Sequence, residues 1–250
     1  MSISVIIITK NAGATIRRCL ESVAWADEVV VIDSGSSDDT LDICRALGAK
    51  VSVTIDWPGF GPQKNRALDA ATGDWLFNID ADEWVTPKLG EEIRTAVARG
   101  GVAAAFALPR RSSFCGRYMK HSGWWPDYVV RLFRRGYARF SDDQAHERLI
   151  VNGATHKLKN PLMHEAITTM DQMLGKMNLY STASARMLHS SGRKASLLKA
   201  VFHGCWAFFR TYILRLGFLD GREGFILAVA NAEGSYYRYV KLMLEWKNPR

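Results

Sequence analysis

The first hundred residues alternate between short β-branched runs and segments with helical spacing. The apolar runs include "SVIIIT", "EVVVID", "KVSVTI" and "WLFNID", and a helix-like stretch such as "GATIRRCLESVA" separates each from the next. In that stretch Ile16, Leu20 and Val23 recur on one helical face. Continuous apolar strands between helices are typical of a parallel sheet covered on both faces. The pattern predicts an α/β fold with a mostly parallel central sheet flanked by helices.

Polar residues follow three of these predicted strands. They are Lys10 and Asn11, residues 33–39, and residues 80–83. In sheets of this kind, ligands bind beyond the carboxyl ends of the strands, so we expect the three loops to surround one crevice. An acid such as Asp33 at a strand end can accept hydrogen bonds from a nucleotide's base or ribose. Asp39 is better explained as a cap of the next helix.

The stretch "LFNIDADEW" ends an apolar strand with three crowded acids. Asp80 and Asp82 are one residue apart and can converge on a hard cation such as Mg²⁺ or Mn²⁺. A lone DxD on an exposed turn is often plain solvated surface, but this one faces two other polar loops. Glu83 either supports the pair or is solvated. There is no GxGxxG or GxxxxGK[ST], so neither a dinucleotide fingerprint nor a P-loop is predicted.

Composition and charge bound the setting. The four cysteines form no CxxC pair, and the amino terminus has no signal-peptide pattern, so we expect a cytoplasmic protein in a reducing compartment. The net charge of +8 lies in the last part: residues 151–250 hold 14 basic and 6 acidic residues, whereas residues 1–150 hold 19 of each. This asymmetry predicts an anionic partner, either a lipid surface or nucleic acid.

The middle segment combines arginines with aromatic residues. Arg131 and Arg134 in "RLFRR" could pair with phosphate groups, or could simply face solvent from a strand. Trp124 and Trp125 could form a sugar-stacking wall or belong to the core.

The last part of the chain is helical. From Lys194 to Phe218, helical spacing places Lys199, His203 and Arg210 in a narrow stripe opposite a broad apolar face. Such a basic amphipathic helix is typical of one lying in a membrane plane, and the alternative is packing against the catalytic domain or another chain.

Four segments together resemble the family 2 glycosyltransferases, and more closely the branch of lipopolysaccharide core β-1,4-glucosyltransferases. They are "VIIITKNAGATIRRCLESV", "VVVIDSGSSDDT", "QKNRALDAATGDWLFNIDADE" and "WWPDYVVRLFRR…AHERL". The resemblance implies a Rossmann-like GT-A fold over residues 1–165, with a nucleotide-sugar half (about 1–100) and an acceptor half (about 101–165). A helical region at 166–250 would follow, and its basic amphipathic pattern indicates either membrane association or packing against the catalytic domain or another chain.

The same resemblance implies an inverting, metal-dependent hexosyltransferase. Its donor would be a nucleotide sugar, with UDP-glucose expected, and its acceptor a glycolipid, with lipopolysaccharide inner-core heptose expected. The protein would then lie on the cytoplasmic face of the inner membrane.

Residue roles carry over by position. Asp82 matches the metal-ligating acid, Asp80 faces the ribose, sugar and metal, and His164 is a further candidate for the metal or diphosphate. The nucleotide-sugar contacts would be made by Thr9, Asn11, Asp33, Asp38, Lys64, Asn65 and Asp80, joined by Arg131 and Arg134 at the diphosphate.

An inverting displacement also needs a general base for the acceptor hydroxyl. The candidates are Asp142, Asp143 and Glu147, of which Glu147 is favoured. Its competing explanation is a salt bridge to Arg148 or Arg139. His146 is expected to orient the acceptor beside Trp124 and Trp125.

Two other classes remain open from the residues alone. A nucleotidyltransferase also uses paired acids, although "TKNAGAT" matches its phosphate loop poorly. A nucleic-acid-binding protein would use the basic tail, but no nucleic-acid module is recognisable. The sequence leaves the donor sugar, the acceptor linkage and the oligomeric state open.

Overall fold

A computed structural model describes residues 1–142 and 147–247 of the chain. These residues form two compact units, one of Met1–Arg110 and Asp127–His164 and one of Arg111–Pro126 and Glu165–Arg250. The sequence analysis assigned 111–126 to the acceptor half of the first domain. The structure instead groups that segment with the helical residues after His164.

The first unit is an α/β sheet built in the predicted order. Its elements are β1 (Ile3–Thr9), α1 (Gly13–Ser22), β2 (Glu28–Asp33), α2 (Thr40–Ala46), β3 (Lys50–Val53), α3 (Phe60–Ala70), β4 (Trp75–Asn78), β5 (Glu83–Val85), α4 (Pro87–Arg99), most of β6 (Ala103–Phe114), β8 (Asp127–Arg134), β9 (Ala138–Phe140), β10 (Leu149–Val151), β11 (Ala154–Lys157) and the first half of β12 (Leu162–Ile167). The predicted α/β class is confirmed.

Four neighbouring strands of the sheet pair parallel to one another. They run in the order β3-β2-β1-β4, and the order reverses between β1 and β4. Strand β8 then pairs antiparallel with β4, and β6 pairs antiparallel with β8. Strands from the second half of the first unit therefore extend the sheet on the side of β4, beside the acidic turn.

Both faces of the parallel strands are covered. Val5 and Ile7 pack into one apolar core, whereas Ile6 between them packs into a second core on the opposite face. Successive side chains of a strand point to opposite faces, so a continuous β-branched run fills two cores at once. This packing holds the carboxyl ends of β1, β2 and β4 side by side.

The second unit is mainly helical. It contains β7 (Arg117–Tyr118), α5 (Met170–Ser190), α6 (Leu197–Phe209), a π-helical turn (Arg210–Leu214), a 3-10 helix (Gly217–Asp220) and α7 (Gly221–Lys247). The sequence predicts one continuous helix from Lys194 to Phe218. The structure breaks it because the backbone of Leu216 adopts the left-handed conformation, with φ of 55°.

No helix in residues 1–142 or 147–247 combines the length and the hydrophobicity that crossing a bilayer requires.

Candidate active site

The acidic turn lies where the order of the sheet reverses. Ile6 of β1 pairs with Asn78, the last residue of β4, and Thr9 at the end of β1 pairs with Asp33 at the end of β2. Asp80 and Asp82 follow β4 directly. Three strand ends therefore bring the predicted polar loops to one edge, which is where doubly wound sheets bind ligands.

Asp80 is held between two cations. Its carboxylate pairs with the guanidinium of Arg131 on one oxygen and lies 3.4 Å from Lys64 Nζ on the other. Burial acts to raise the pKa of Asp80, but the charges of Arg131 and Lys64 outweigh it and hold that pKa well below its usual range. Asp80 is therefore an oriented anion.

Glu83 is the buried anchor of the turn. It has no exposed surface, its carboxylate accepts the backbone N–H of Asp80 at 3.0 Å, and it pairs with Arg131 at 2.7 Å. Arg110 lies 3.6 Å from the same carboxylate. Burial raises the pKa of Glu83, although Arg131 opposes the effect. Of the two explanations left open by the sequence, solvation is wrong: Glu83 supports the turn from inside.

The two arginines predicted at the diphosphate have different surroundings. The buried guanidinium of Arg131 is shared by Asp80 and Glu83, so it organises the acidic turn. Arg134 lies elsewhere: it pairs with Trp75 at the first residue of β4, at the opposite end of the strand from Asp80. The structure therefore does not bring Arg134 to the acidic turn.

Asp82 is the more exposed acid of the pair, and it lies beside His164. Antiparallel pairing of β12 with β5 sets His164 opposite Glu83, and His164 Nε2 lies 3.6 Å from Asp82 Oδ2. A carboxylate and an imidazole are suitable ligands for a divalent transition ion. The described residues contain no cluster of three or more His, Cys, Asp or Glu that could hold a metal. The donor set therefore fits an ion whose remaining ligands come from substrate and water.

The third predicted ligand fits less well, because both oxygens of Asp80 are engaged by Arg131 and Lys64. Any metal at this turn would rest on Asp82 and His164.

Lys64 connects the acidic turn to the favoured base. Its Nζ lies 3.2 Å from Glu147 Oε1 as well as 3.4 Å from Asp80 Oδ1, and its side chain is buried. Lys64 and Glu147 are 83 residues apart in sequence, yet the fold places both beside the strand end. Lys64 is therefore a partner of Glu147, for which the sequence analysis considered a salt bridge to Arg148 or Arg139.

Asn65, the neighbour of Lys64, serves the scaffold. Its side-chain amide donates to the Phe140 carbonyl at 2.9 Å and accepts the Phe140 N–H at 3.0 Å. The two bonds tie α3 to β9, so the structure gives the Asn65 amide a backbone partner.

The loops after β1 and β2 are tied to each other. Buried Asp33 accepts the N–H groups of Gly35 and Ser36, each at 2.8 Å, and Asn11 Oδ1 accepts the N–H of Ser37 at 2.8 Å. Asn11 adopts the left-handed conformation, with φ of 51°. These bonds fix the shape of the edge on which a nucleoside contact was predicted.

Asp38 makes hydrogen bonds at the start of α2 through its side chain, whereas Asp39 does not. Asp38 accepts the N–H of Gly13 at 3.0 Å and that of Thr40 at 3.1 Å, so it joins the two helix starts. Hydrogen bonds from Thr40 and Gly13 lower the pKa of Asp38. Asp39 occupies the cap position of α2 but makes no capping bond through its side chain. The predicted cap position of Asp39 is confirmed, but the bond by which such a side chain stabilises a helix start is not made.

A cavity with an aromatic wall lies next to these loops, and the sequence analysis missed it. Its volume is about 420 Å³, and its lining residues are Ile8, Thr9, Lys10, Trp57 and Phe60. Trp57 and Phe60 meet edge to face with ring centroids 4.9 Å apart, and both stay about half exposed. The signal was the pair of aromatics in "WPGF", in a short connection that otherwise has no reason to expose them.

The wall of this cavity is fixed in place. Arg66 of α3 pairs through two bonds with Asp56, and Gln63 donates to the Thr54 hydroxyl at 2.7 Å. Thr9 Oγ1 is buried and has no hydrogen-bond partner among the described residues. A buried hydroxyl without a partner destabilises the fold, so a ligand that forms a hydrogen bond with it would gain binding free energy.

The remaining predicted residues are Trp124, Trp125, Asp142, Asp143 and His146. Trp124 belongs to the second unit, where it packs edge to face on Phe114 at 6.0 Å as part of an apolar core. Trp125 precedes a cis proline and is half-buried. Asp142 is exposed. Asp143 and His146 lie outside the described residues.

The fold and this edge together define a class: an α/β protein with an acidic turn at the switch point of its sheet. Comparison with known proteins specifies the class further. Residues 4–158 match glycosyl transferase family 2, so the chain belongs to that family. It is an enzyme, and the nucleotidyltransferase and nucleic-acid-binding alternatives are set aside.

Relatives and solved structures agree with this. An uncharacterized glycosyltransferase from Rickettsia felis is 32% identical over 98% of this chain and 92% of the relative. The lipopolysaccharide core biosynthesis glycosyltransferase LpsC from Rhizobium meliloti is 29% identical over 97% and 92%. Residues 1–349 of TarS from S. aureus, solved with UDP, are 16% identical, cover 100% of this chain and 92% of that one, and give a TM-score of 0.53. The TarS likeness shows a common GT-A-like fold.

Proposed function

We propose that this protein transfers a hexose, with inversion, from a nucleotide sugar to a membrane-bound glycolipid. The expected donor is UDP-glucose and the expected acceptor is the inner-core heptose of lipopolysaccharide. One observation carries the proposal: Lys64 bridges Asp80 and Glu147 beside Asp82 and His164. A donor-facing acid, a candidate base and a candidate metal pair thereby share one strand end.

The acceptor class is supported by the similarity to LpsC, whose name places that relative in lipopolysaccharide core biosynthesis. A glycolipid acceptor would explain the basic excess in residues 151–250, since anionic lipid headgroups attract such a surface. We therefore propose that the protein works at the cytoplasmic face of the inner membrane.

The donor would lie along the carboxyl edge from β4 to β3. Neighbouring strands are about 4.8 Å apart, so the three steps from β4 to β3 span about 14 Å. In an extended nucleoside diphosphate sugar, the sugar and diphosphate would lie at Asp80 and Asp82. The base would then reach the cavity bounded by Thr9, Trp57 and Phe60, where an aromatic wall and a buried hydroxyl suit a planar, polar ring.

Asp82 and His164 would hold the divalent cation, and the imidazole favours Mn²⁺ over the strictly oxygen-seeking Mg²⁺. Such an ion, when bound, supplies positive charge for a departing diphosphate. The ammonium of Lys64 would add to that charge from the protein side.

In transfer, Glu147 takes the proton of the acceptor hydroxyl while the oxygen of that hydroxyl attacks the anomeric carbon. The bond to the diphosphate breaks in the same displacement, and the nucleoside diphosphate leaves with the bonding pair. Asp80, oriented by Arg131, would accept hydrogen bonds from the sugar or ribose hydroxyls.

The test is a donor panel assayed with Mn²⁺, Mg²⁺ or a chelator. We expect UDP release from UDP-glucose that depends on a divalent ion and rises when truncated inner-core lipopolysaccharide is added. Release of the nucleoside diphosphate from a different sugar nucleotide, and none from UDP-glucose, would overturn the assignment of UDP-glucose as the donor. The absence of binding to every sugar nucleotide, with and without metal, would overturn the proposed function.

A further inference from the structure

Helix α6 in the second unit presents its large apolar side chains to the outside. Leu198 is 83% exposed and Phe202 66% exposed, and the exposed face continues along the helix and the π turn. Its other members are Val201, Trp206, Phe209, Ile213 and Leu214. At helical spacing these residues fall within one broad sector, so they form a single surface, here called the α6 apolar face.

The opposite side of α6 packs with small residues. Ala200, Gly204 and Ala207 are the buried positions of this helix. A Cβ at Gly204 would stand 3.3 Å from both the Ala232 carbonyl oxygen and Tyr236 Cβ, so α6 lies close against α7. A helix that packs through small residues and exposes large ones reverses the arrangement of an ordinary surface helix.

The predicted polar stripe forms one edge of the apolar face. His203 stacks on the Tyr239 ring with centroids 4.2 Å apart, and Lys199 Nζ lies 5.6 Å from the same ring. Arg210 follows on the same side and is exposed. The cations therefore lie between the apolar face and the side packed on α7, the position from which long side chains reach a polar boundary.

The positive charge around the α6 apolar face favours an anionic lipid surface over a second copy of this chain as its binding partner. Residues 189–219 contain five basic residues and no acid. Two copies of this chain meeting through the face would bring these five cations together with no acid from the same segment beside them, whereas an anionic lipid surface supplies the opposite charge. The apolar face exceeds the scattered exposure that is normal for a protein surface.

We infer that α6 and the turn after it lie in the plane of an anionic membrane, with the α6 apolar face inserted below the headgroups and its cations at the headgroup level. The inference rests on the proposed function, because membrane binding would bring the enzyme to the surface that holds its lipid-linked acceptor. Phe218 and Leu219 in the following 3-10 helix are also exposed and extend the inserted surface. In-plane helices of this type bury their apolar side about 5–10 Å into the membrane.

Vesicle flotation of the full chain tests this directly. Wild-type protein is mixed with vesicles of phosphatidylcholine alone or of phosphatidylcholine with phosphatidylglycerol, at low and high salt. We expect flotation with the anionic vesicles and its weakening by salt. Equal binding to both vesicle types at low salt, or no binding to either, would overturn the inference.

A double substitution, Phe202→Ser with Trp206→Ser, removes two members of the α6 apolar face. We expect the vesicle partition coefficient to fall at least about tenfold. The matched control is Leu179→Ser with Tyr180→Ser on α5, whose side chains are 64% and 63% exposed but lie outside the face. That control should float like wild type. Equal loss in both variants would mean nonspecific stickiness and overturn the assignment to α6.

A second variant tests the cations alone. Lys199→Gln with Arg210→Gln should weaken flotation with anionic vesicles and leave the circular dichroism spectrum unchanged. Light scattering tests the competing explanation, in which the α6 apolar face binds a second copy of the chain. That explanation would be supported if wild type is a dimer that does not bind vesicles and the Phe202/Trp206 variant is a monomer. Donor-dependent UDP release should persist in both variants, so failure here is distinguishable from failure of the proposed function.

Discussion

The two ends of the parallel sheet bury carboxylates in opposite ways. At the amino end, Glu28 accepts hydrogen bonds from the Ser4 hydroxyl, the Thr72 N–H at 2.7 Å and Lys50 Nζ at 2.7 Å. At the carboxyl end, Asp80 and Glu83 crowd around one guanidinium, and Asp82 remains partly exposed beside them. The first arrangement satisfies one acid completely. The second concentrates negative charge where a cation and a substrate can still enter.

The comparison shows that the carboxylate at the amino end of the sheet stabilises the fold, whereas those at the carboxyl end are arranged to bind a ligand. A fully hydrogen-bonded acid such as Glu28 contributes to folding and offers nothing to a ligand. A turn that keeps two acids partly exposed above a third that is fully buried is arranged for binding. The two ends should therefore respond differently to substitution.

The largest expected effect is on transfer, from Glu147→Gln. Removing the base should lower kcat by roughly 10²–10⁴-fold, while donor binding stays within a few-fold of wild type. Steady-state kinetics combined with titration of UDP-glucose checks this. Asp142→Asn is the informative comparison. If Glu147→Gln transfers sugar normally and Asp142→Asn loses transfer, the general base is Asp142 and the assignment of Glu147 is wrong.

Arg131→Met should be the largest stability change at the carboxyl end. It leaves the fully buried Glu83 and the partly exposed Asp80 without their shared guanidinium, and breaking a buried pair such as Arg131 with Glu83 costs about 3–5 kcal/mol. Urea unfolding measures the loss. Arg134→Met, on the same strand but at its other end, serves as the control and should cost far less. Equal losses would contradict the organising role given to Arg131.

How far could the sequence have anticipated this cluster? Asp80 and Asp82 are predictable because a strand-end turn is local. Glu83 and Arg131 meet only through antiparallel pairing of β4 with β8, in which Phe77 lies opposite Leu132. His164 reaches Asp82 through the pairing of β12 with β5. Local spacing carries no information about such pairings. The order of strands and helices in residues 1–100 was predictable because apolar periodicity is itself local.

At the amino end, the pKa of Glu28 supplies a pH prediction. Burial acts to raise this pKa, but hydrogen bonds from Lys50, Ser4 and Thr72 lower it to about 2. A lowered folded-state pKa gives stability that is present above the unfolded-state value and is lost as the pH falls toward 2. The unfolding free energy of wild type should therefore drop between about pH 4.5 and 2, by about 2 kcal/mol from this group.

Glu28→Gln tests that assignment. The variant should be less stable at neutral pH, and its unfolding free energy should depend less on pH in the acid range. An acid transition identical to that of wild type would show that Glu28 does not contribute the dependence.

The smallest expected effect is at the aromatic wall. Trp57→Ala should weaken binding of UDP about tenfold, since stacking of a base on an aromatic ring contributes roughly 1–3 kcal/mol. Trp57→Phe should restore most of the affinity because a planar ring is kept. Titration calorimetry with UDP, and with inorganic pyrophosphate as a ligand without a base, separates base from phosphate contacts. An equal loss for both ligands would contradict a role in binding the base.

The most direct test of the central claim is the binding of UDP-glucose with and without Mn²⁺, in wild type and in Asp82→Asn. Wild type should bind the donor more tightly with Mn²⁺, and Asp82→Asn should lose that gain while keeping its unfolding free energy. Donor binding by wild type that is indifferent to Mn²⁺, or a gain that survives in Asp82→Asn, would contradict the assignment of the acidic turn as the donor and metal site.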